Sequence, residues 1–315
     1  MIGPTQRAWL KFLLSLLISA SLLGWLFSHV DPHAILATLQ HTQPGYFLLA
    51  LIFALLGTIL LQAHEIHATM PPAQRPPVRS IARINLAMMF YALFLPTVLT
   101  FAIRWQKYRR LGIAGWDAAA LVGVHKLLQL WTAAAFFFLA WLLLPPLQLG
   151  QLNQPVNLLG IIFALLSAYL IYMLLPISHP PAQPHRPLPS PLAKAMQALR
   201  TIHQLPQRQK GRALSHALLQ HLCIVLSGWF ALLSLQPDTP LLPLILARSL
   251  LVLLLTLPIA IAGIGVRELV FFLILPLYGI PAEQALSAAL LLLAIQLLIA
   301  GLGGLSELTR STATR

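Results

Sequence analysis

The sequence predicts an all-α, polytopic membrane protein, and three observations support this fold class. Of the 315 residues, 58% are hydrophobic and 9% are charged, whereas a soluble domain carries about 25% charged residues. The apolar residues form runs of about 20, the length that crosses a bilayer as a helix. Short basic segments separate many of these runs, as is usual around membrane helices. We therefore expect seven to nine membrane helices, including broken or re-entrant segments.

Two spans are predicted at the start of the chain, at about residues 8–27 and 46–63. No small-residue cleavage pattern follows the first span, so it is expected to remain as a membrane helix. The connection at 28–45 contains no Lys or Arg, whereas three arginines follow the second span. The positive-inside rule then places the connection outside, and the N-terminus and the arginine segment in the cytoplasm.

The next apolar stretch, 84–103, contains a helix-breaking residue. Pro96 interrupts it, and Arg104 follows it directly. Because basic residues flank both sides, we expect a broken or re-entrant element that enters and leaves on the cytoplasmic face. The stretch at 118–144 is longer than one crossing requires and contains Lys126 in its first third. This length predicts an embedded helix that leads into a span.

Residues 176–212 divide the chain into two membrane halves, 1–175 and 213–315. This segment has six Lys or Arg, eight Pro and no acidic residue, which is typical of a cytoplasmic linker. An amphipathic piece is predicted at 192–205. The C-terminal half offers four further membrane elements, and the basic C-terminus is expected in the cytoplasm. These elements are predicted at 213–235, 241–257, 266–278 and 284–305.

A similar series of residues occurs in both halves. Pro96 precedes Arg104 in the first half, and Pro258 precedes Arg267 in the second. A Gly-Ile pair, an acidic residue and an alanine-rich segment follow each arginine. Two unrelated helix kinks could produce this likeness. We favour a repeated discontinuous helix, as in secondary transporters, where such breaks form a substrate site within the bilayer.

The second of these elements resembles a known family. The segment from Pro258 through Gly263, Gly265 and Arg267 to Glu268 is similar to the proline, glycine and Arg-Glu pattern of flippase-like proteins related to the transmembrane domain of lysylphosphatidylglycerol synthase. The earlier proline, arginine and Arg-x-Gly elements match as well, so the resemblance spans nearly the whole chain. It implies a multi-pass bacterial inner-membrane protein that binds or moves a lipid, such as an aminoacylated phospholipid or a polyprenyl-phosphate-linked sugar.

The first element departs from the family pattern. A Gly-Gly-Asp sequence is usual before its arginine, and Val98–Phe101 occupies that region here. His125 and Lys126 replace an acid-arginine pair, and Gln129 replaces an acid. No charged region of about 100 residues is present that could hold a soluble transferase domain. We therefore do not expect the chain to be an enzyme that transfers lysine.

Cationic residues near the two breaks are the candidates for binding a lipid head group. Arg248 lies in the middle of an apolar segment, where a charge costs about 2.5–3.5 kcal/mol on insertion scales. Arg104 and Lys126 could instead be interfacial flanks, and an Arg-Glu pair at the second break could be structural. The candidate head-group residues are Arg104, Lys126, Arg248, Arg267 and Glu268, and the candidate helix-break residues are Pro96, Pro258, Gly263 and Gly265.

The functional hypothesis is a lipid-binding and lipid-translocating membrane protein. An anionic or zwitterionic head group would bind between the two broken helices, and rocking of one half against the other would move it. One alternative is a lipid-modifying enzyme with His125 or Glu268 as base. Another is a scaffold whose linker docks a cell-envelope protein. The other partner considered is a second copy of the chain, in a homo-oligomer. We expect no nucleic-acid partner and no cofactor. We also expect no metal site, because His64 and His67 lack the spacing of a zinc helix.

Overall fold

The computed structural model describes residues 20–26, 28–70, 72–95, 97–113, 115–144, 205–256 and 263–313, with single positions at 17 and within 160–168. Every regular element in these ranges is helical, and the all-α fold class is confirmed. Pro96, Pro258, most of the predicted first span and most of the 176–212 linker lie outside the described residues. The helices are α1 (Pro32–Gln40), α2 (Pro44–Thr69), α3 (Val78–Phe94), α4 (Thr97–Arg110), α5 (Gly115–Leu143), α6 (Gln207–Leu233), α7 (Leu241–Leu254), α8 (Val266–Ile274) and α9 (Ala282–Ala313).

Four helices, α2, α5, α6 and α9, are long and apolar enough to cross a membrane. Each provides 26 to 29 residues, which at 1.5 Å per residue is about 40 Å of helix against a hydrocarbon core of about 30 Å. The shorter α7 is also apolar. The chain is therefore a multi-pass membrane protein, as predicted.

Both predicted helix breaks coincide with interruptions in the structure. α3 ends at Phe94, Leu95 adopts an extended conformation, and α4 begins at Thr97. At the second break, α7 ends at Leu254 and α8 begins at Val266. Gly263 and Gly265 precede α8 with φ of +76° and +87°, a region that residues with a Cβ rarely adopt. The two glycines thus account for the turn that leads into α8.

Several element boundaries differ from the sequence-based expectation. The 28–45 connection contains α1, and Asp31 caps this helix by accepting the His33 N–H at 2.9 Å. α6 begins at Gln207, so the last six residues assigned to the linker are helical. α2 continues to Thr69, six residues beyond the predicted end, and its central Leu56–Leu61 segment is π-helical.

Helices from the N-terminal half pack mainly on helices from the C-terminal half. α3 contacts α9, α2 contacts α6, and α5 contacts α7. The first of these contacts depends on Gly303, where a Cβ would lie 2.2 Å from the Leu86 carbonyl oxygen. Small residues permit such close approach between membrane helices. One core cluster therefore joins residues from both halves, whereas a second is formed by residues of the N-terminal half.

Candidate functional site

A cavity of about 340 Å³ lies among α2–α9. Leu95 and Thr100 border it at the first break, and Thr256 and Gly263 border it at the second. Residues next to both breaks therefore border one cavity in the described part of the chain. Such a position, between discontinuous helices within the membrane region, is where secondary transporters hold their substrates.

Three of the predicted cationic residues line this cavity, namely Lys126, Arg248 and Arg267. No acidic side chain occurs among its described lining residues. The guanidinium groups of Arg248 and Arg267 border the same cavity, so their positive charges repel each other. Like charges held together away from water are unfavourable unless an anion compensates them. Further polar groups come from Thr58, Thr100, Gln129, Ser227, Thr256 and Gln296.

Arg248 reaches the cavity because α6 leaves room for it. A Cβ at Gly228 would lie 3.1–3.3 Å from the Cδ, Cγ and Nε atoms of Arg248. Nη2 donates to the Ile224 carbonyl oxygen at 3.4 Å, a long hydrogen bond, and the buried Nε has no hydrogen-bond partner in the described structure. The described residues thus satisfy only part of the hydrogen-bonding capacity of this guanidinium group.

Arg267 and Glu268 have different roles although they are adjacent. Arg267 lines the cavity and donates to the side chain of Gln296 on α9. Glu268 accepts the Gly265 N–H at 2.7 Å, so its carboxylate caps the first turn of α8. It is 2% exposed and does not line the cavity. Of this predicted pair, Arg267 therefore lines the cavity and Glu268 does not.

Lys126 is held inside the protein by contacts on α4 and α5. Its amine donates to the Gln129 side-chain oxygen at 2.7 Å and lies 5.5 Å from the centre of the Phe101 ring. A cation over an aromatic face is attracted by the ring electrons. These contacts direct the ammonium group along the cavity wall.

Arg104 joins a different group of buried side chains. Its Nη1 lies 2.9 Å from the side-chain amide of Gln62, which is also 2.6 Å from Nε2 of His125. Nδ1 of His125 in turn lies 2.8 Å from a carboxylate oxygen of Glu65. Arg104 is not among the residues that line the cavity. This cluster was not predicted from the sequence, because Glu65 lies beyond the predicted end of the second span and 60 positions from His125.

No three His, Cys, Asp or Glu side chains cluster as a metal site within the described part of the chain. His64 and His67 do not face a common centre with Glu65, whose carboxylate turns towards His125. His64 instead stacks on His216 with ring centroids 5.4 Å apart.

The fold and the cavity together describe a multi-pass membrane protein with a cavity that lies next to two helix breaks and is lined by three cationic side chains. Residues 12–304 match the family model described as the lysylphosphatidylglycerol synthase TM region. The chain therefore belongs to this family of membrane domains, whose function is related to lipids. Among curated proteins, none matches the chain significantly.

Proposed function

We propose that the protein binds a phosphate-bearing lipid in this cavity and moves its head group across the membrane. The observation that carries the proposal is the convergence of Lys126, Arg248 and Arg267 on a cavity whose described lining contains no acidic residue. Such a site selects an anion by charge. Arginine is suited to phosphate because its planar fork can donate two hydrogen bonds to two oxygens.

The size of the cavity supports a head group rather than a whole lipid. A volume of about 340 Å³ lies at the lower end of ligand pockets, which span about 300–1,000 Å³. A phosphate diester with a small polar substituent fits this range, and the acyl chains would remain in the bilayer. An aminoacylated phospholipid and a polyprenyl-phosphate carrier share the phosphate that the site would recognise.

The two helix breaks supply points at which the structure can move. Extended backbone at Leu95 and left-handed glycines at Gly263 and Gly265 interrupt the helices that border the cavity. Rocking about these points would open the cavity to one face and then to the other. The arrangement of basic loops favours cytoplasmic termini, and the family relation implies a bacterial inner membrane.

We infer transport rather than lipid modification because neither of the two candidate bases lines the cavity in the described structure. Glu268 caps α8, and His125 is paired with Glu65. Neither is among the described residues that line the cavity. A general base must come within hydrogen-bond reach of its substrate.

Native mass spectrometry of the detergent-purified protein tests lipid binding. We expect the wild type to retain phosphatidylglycerol in preference to diacylglycerol, which has the same chains without phosphate. Arg248→Ala and Arg267→Ala should each lose this preference, whereas Arg79→Ala, at an exposed position, should keep it. Equal lipid profiles in all four proteins would contradict the proposal.

Two further measurements separate lipid binding from phosphate binding and from transport. Competition with glycerophosphoglycerol, the free head group, distinguishes a lipid site from a site for soluble phosphate diesters. A reconstituted assay that follows fluorescent phosphatidylglycerol between leaflets measures translocation. Retained lipid without translocation would favour the scaffold alternative.

A further inference from the structure

A buried acid-imidazole pair lies beside the cationic cavity, between α2 and α5. Glu65 and His125 are 1% and 4% exposed, respectively. His125 Nδ1 is 2.8 Å from Oε2 of Glu65 and 3.1 Å from Oε1. Because isolated buried charges are very unfavourable, the protonation of such a pair is determined by the groups that surround it.

The side-chain amide of Gln62 determines which nitrogen of His125 carries a proton. One end of this amide lies 2.6 Å from the Thr58 carbonyl oxygen, which can only accept. The other end lies 2.9 Å from Nη1 of Arg104, which can only donate, and 2.6 Å from Nε2 of His125. The amide nitrogen therefore faces Thr58, and the amide oxygen faces Arg104 and His125. It follows that His125 donates from Nε2.

A second proton is then required on the other side of the imidazole ring. With Nε2–H facing Gln62, the 2.8 Å contact between Nδ1 and Glu65 is a hydrogen bond only if a proton lies between them. The proton can belong to the imidazole or to the carboxyl group, and the pair is neutral overall in both cases. Its loss would leave either two lone pairs facing each other or a rotated Gln62 amide, whose nitrogen would then face Arg104.

We propose that Glu65 and His125 form a proton-binding site that is coupled to occupancy of the cationic cavity. Lys126 connects the two sites, because it follows His125 in the chain, lines the cavity and interacts by charge with Glu65. Thr58, whose carbonyl orients Gln62, lines the same cavity.

The sign of the coupling follows from the charges around the pair. Of the titratable groups on the packed helices, Arg104, Tyr108 and Lys126 interact with the pair in the described structure. The two cations oppose an additional positive charge. An anion beside Lys126 offsets that opposition, so anion binding favours proton uptake by the pair. By reciprocity, proton uptake strengthens anion binding, and the affinity for the anion falls as pH rises.

A different buried histidine, His221, provides the matched control. It contacts the Ser249 hydroxyl at 3.0 Å and interacts by charge with Arg248 rather than with Lys126. It also lies within the membrane region, on α6, but no carboxylate is in contact with it in the described structure. Substituting it therefore tests whether any buried histidine near the cavity would give the same proton linkage.

Isothermal titration calorimetry with dioctanoyl phosphatidylglycerol tests the coupling, which rests on the proposed lipid binding. This diester stays monoanionic between pH 6 and pH 9, so its own titration does not contribute. Repeating each titration in buffers of different ionisation enthalpy gives the number of protons taken up. For the wild type we expect net uptake of up to one proton and an affinity that falls by up to about tenfold per pH unit. Glu65→Gln should abolish both effects, and His221→Gln should retain them.

The outcomes separate this inference from the proposed function. Wild-type binding with no proton uptake and no pH dependence would overturn the coupling and leave lipid binding intact. Uptake that persists in Glu65→Gln and disappears in His221→Gln would overturn it as well. Absence of any phosphatidylglycerol binding to the wild type would refute both proposals together. If Glu65→Gln does not fold, the absence of proton uptake by the wild type still overturns the coupling, and loss of uptake in His221→Gln assigns the proton to the other histidine.

Discussion

The two helix breaks carry a similar sequence pattern, yet their arginines lie in different surroundings. Arg267, after the second break, lines the cavity and donates to Gln296 on α9. Arg104, after the first break, contacts Gln62 on α2 and does not line the cavity. Each arginine thus meets a glutamine from a long helix, but only one guanidinium is placed to meet a ligand.

The two copies of the motif thus make the same kind of contact, from an arginine to a glutamine, but their arginines lie in sites of different chemistry. At the second break, the nearest carboxylate, Glu268, is occupied in capping α8, which leaves the cavity lined by cations. At the first break, Arg104 belongs to a cluster that contains a carboxylate and an imidazole. We infer that the second break binds the anion and that the first sets the charge state beside it.

Replacing the two arginines separately should give the largest difference in lipid affinity between the two breaks. Arg267→Ala should weaken dioctanoyl phosphatidylglycerol binding by about 10- to 100-fold, because a hydrogen bond to a charged group contributes about 1.5–3 kcal/mol. Arg104→Ala should weaken it by less than about fivefold, since Arg104 does not line the cavity and acts only at longer range. Titration calorimetry at pH 6 measures both affinities. Equal losses would show that the two breaks contribute alike.

Replacing Gly263 and replacing Gly112 should lower the stability of the protein by different amounts. Gly263 has φ of +76°, and its Cβ position lies 2.9 Å from Leu255 Cδ2, whereas Gly112 has φ of +87° and open space around it. Gly263→Ala should therefore cost about 2–5 kcal/mol, from backbone strain and overpacking together. Gly112→Ala should cost about 1–2 kcal/mol, from strain alone. Thermal unfolding in detergent provides the comparison, and a larger loss at Gly112 would contradict it.

Sequence reasoning was most successful where one residue determines local structure. Proline and glycine marked both breaks, and Arg248 marked the cavity because a cation in an apolar run needs compensation. Pairing across the fold was not predictable in the same way. Glu65 and His125 are 60 positions apart, and their contact depends on α2 continuing to Thr69 and on how α2 packs against α5. Neither condition is encoded in a short motif.

The negative charge of Glu268 is expected to weaken anion binding at the second break. Glu268→Gln should keep the cap, because an amide oxygen can still accept the Gly265 N–H. It removes the negative charge that interacts with Arg267. Binding of dioctanoyl phosphatidylglycerol should therefore strengthen by about fivefold, equivalent to about 1 kcal/mol. Weaker binding would support a direct contact between Glu268 and the head group, as the sequence first predicted.

Removing the ion pair between Lys107 and Glu307 should have the smallest effect, a slight loss of thermal stability. It ties α4, beyond the first break, to α9 with a nitrogen-oxygen distance of 2.6 Å, and the side chains are 14% and 23% exposed. Partly exposed pairs contribute about 0–1 kcal/mol. Lys107→Met should lower the thermal stability slightly at low salt, and the difference from wild type should shrink at high salt because ions screen the pair. Phosphatidylglycerol affinity should not change, because neither residue lines the cavity. A large loss of affinity would instead mean that the contact between α4 and α9 controls access to the cavity, which would give the first break a gating role that the second lacks.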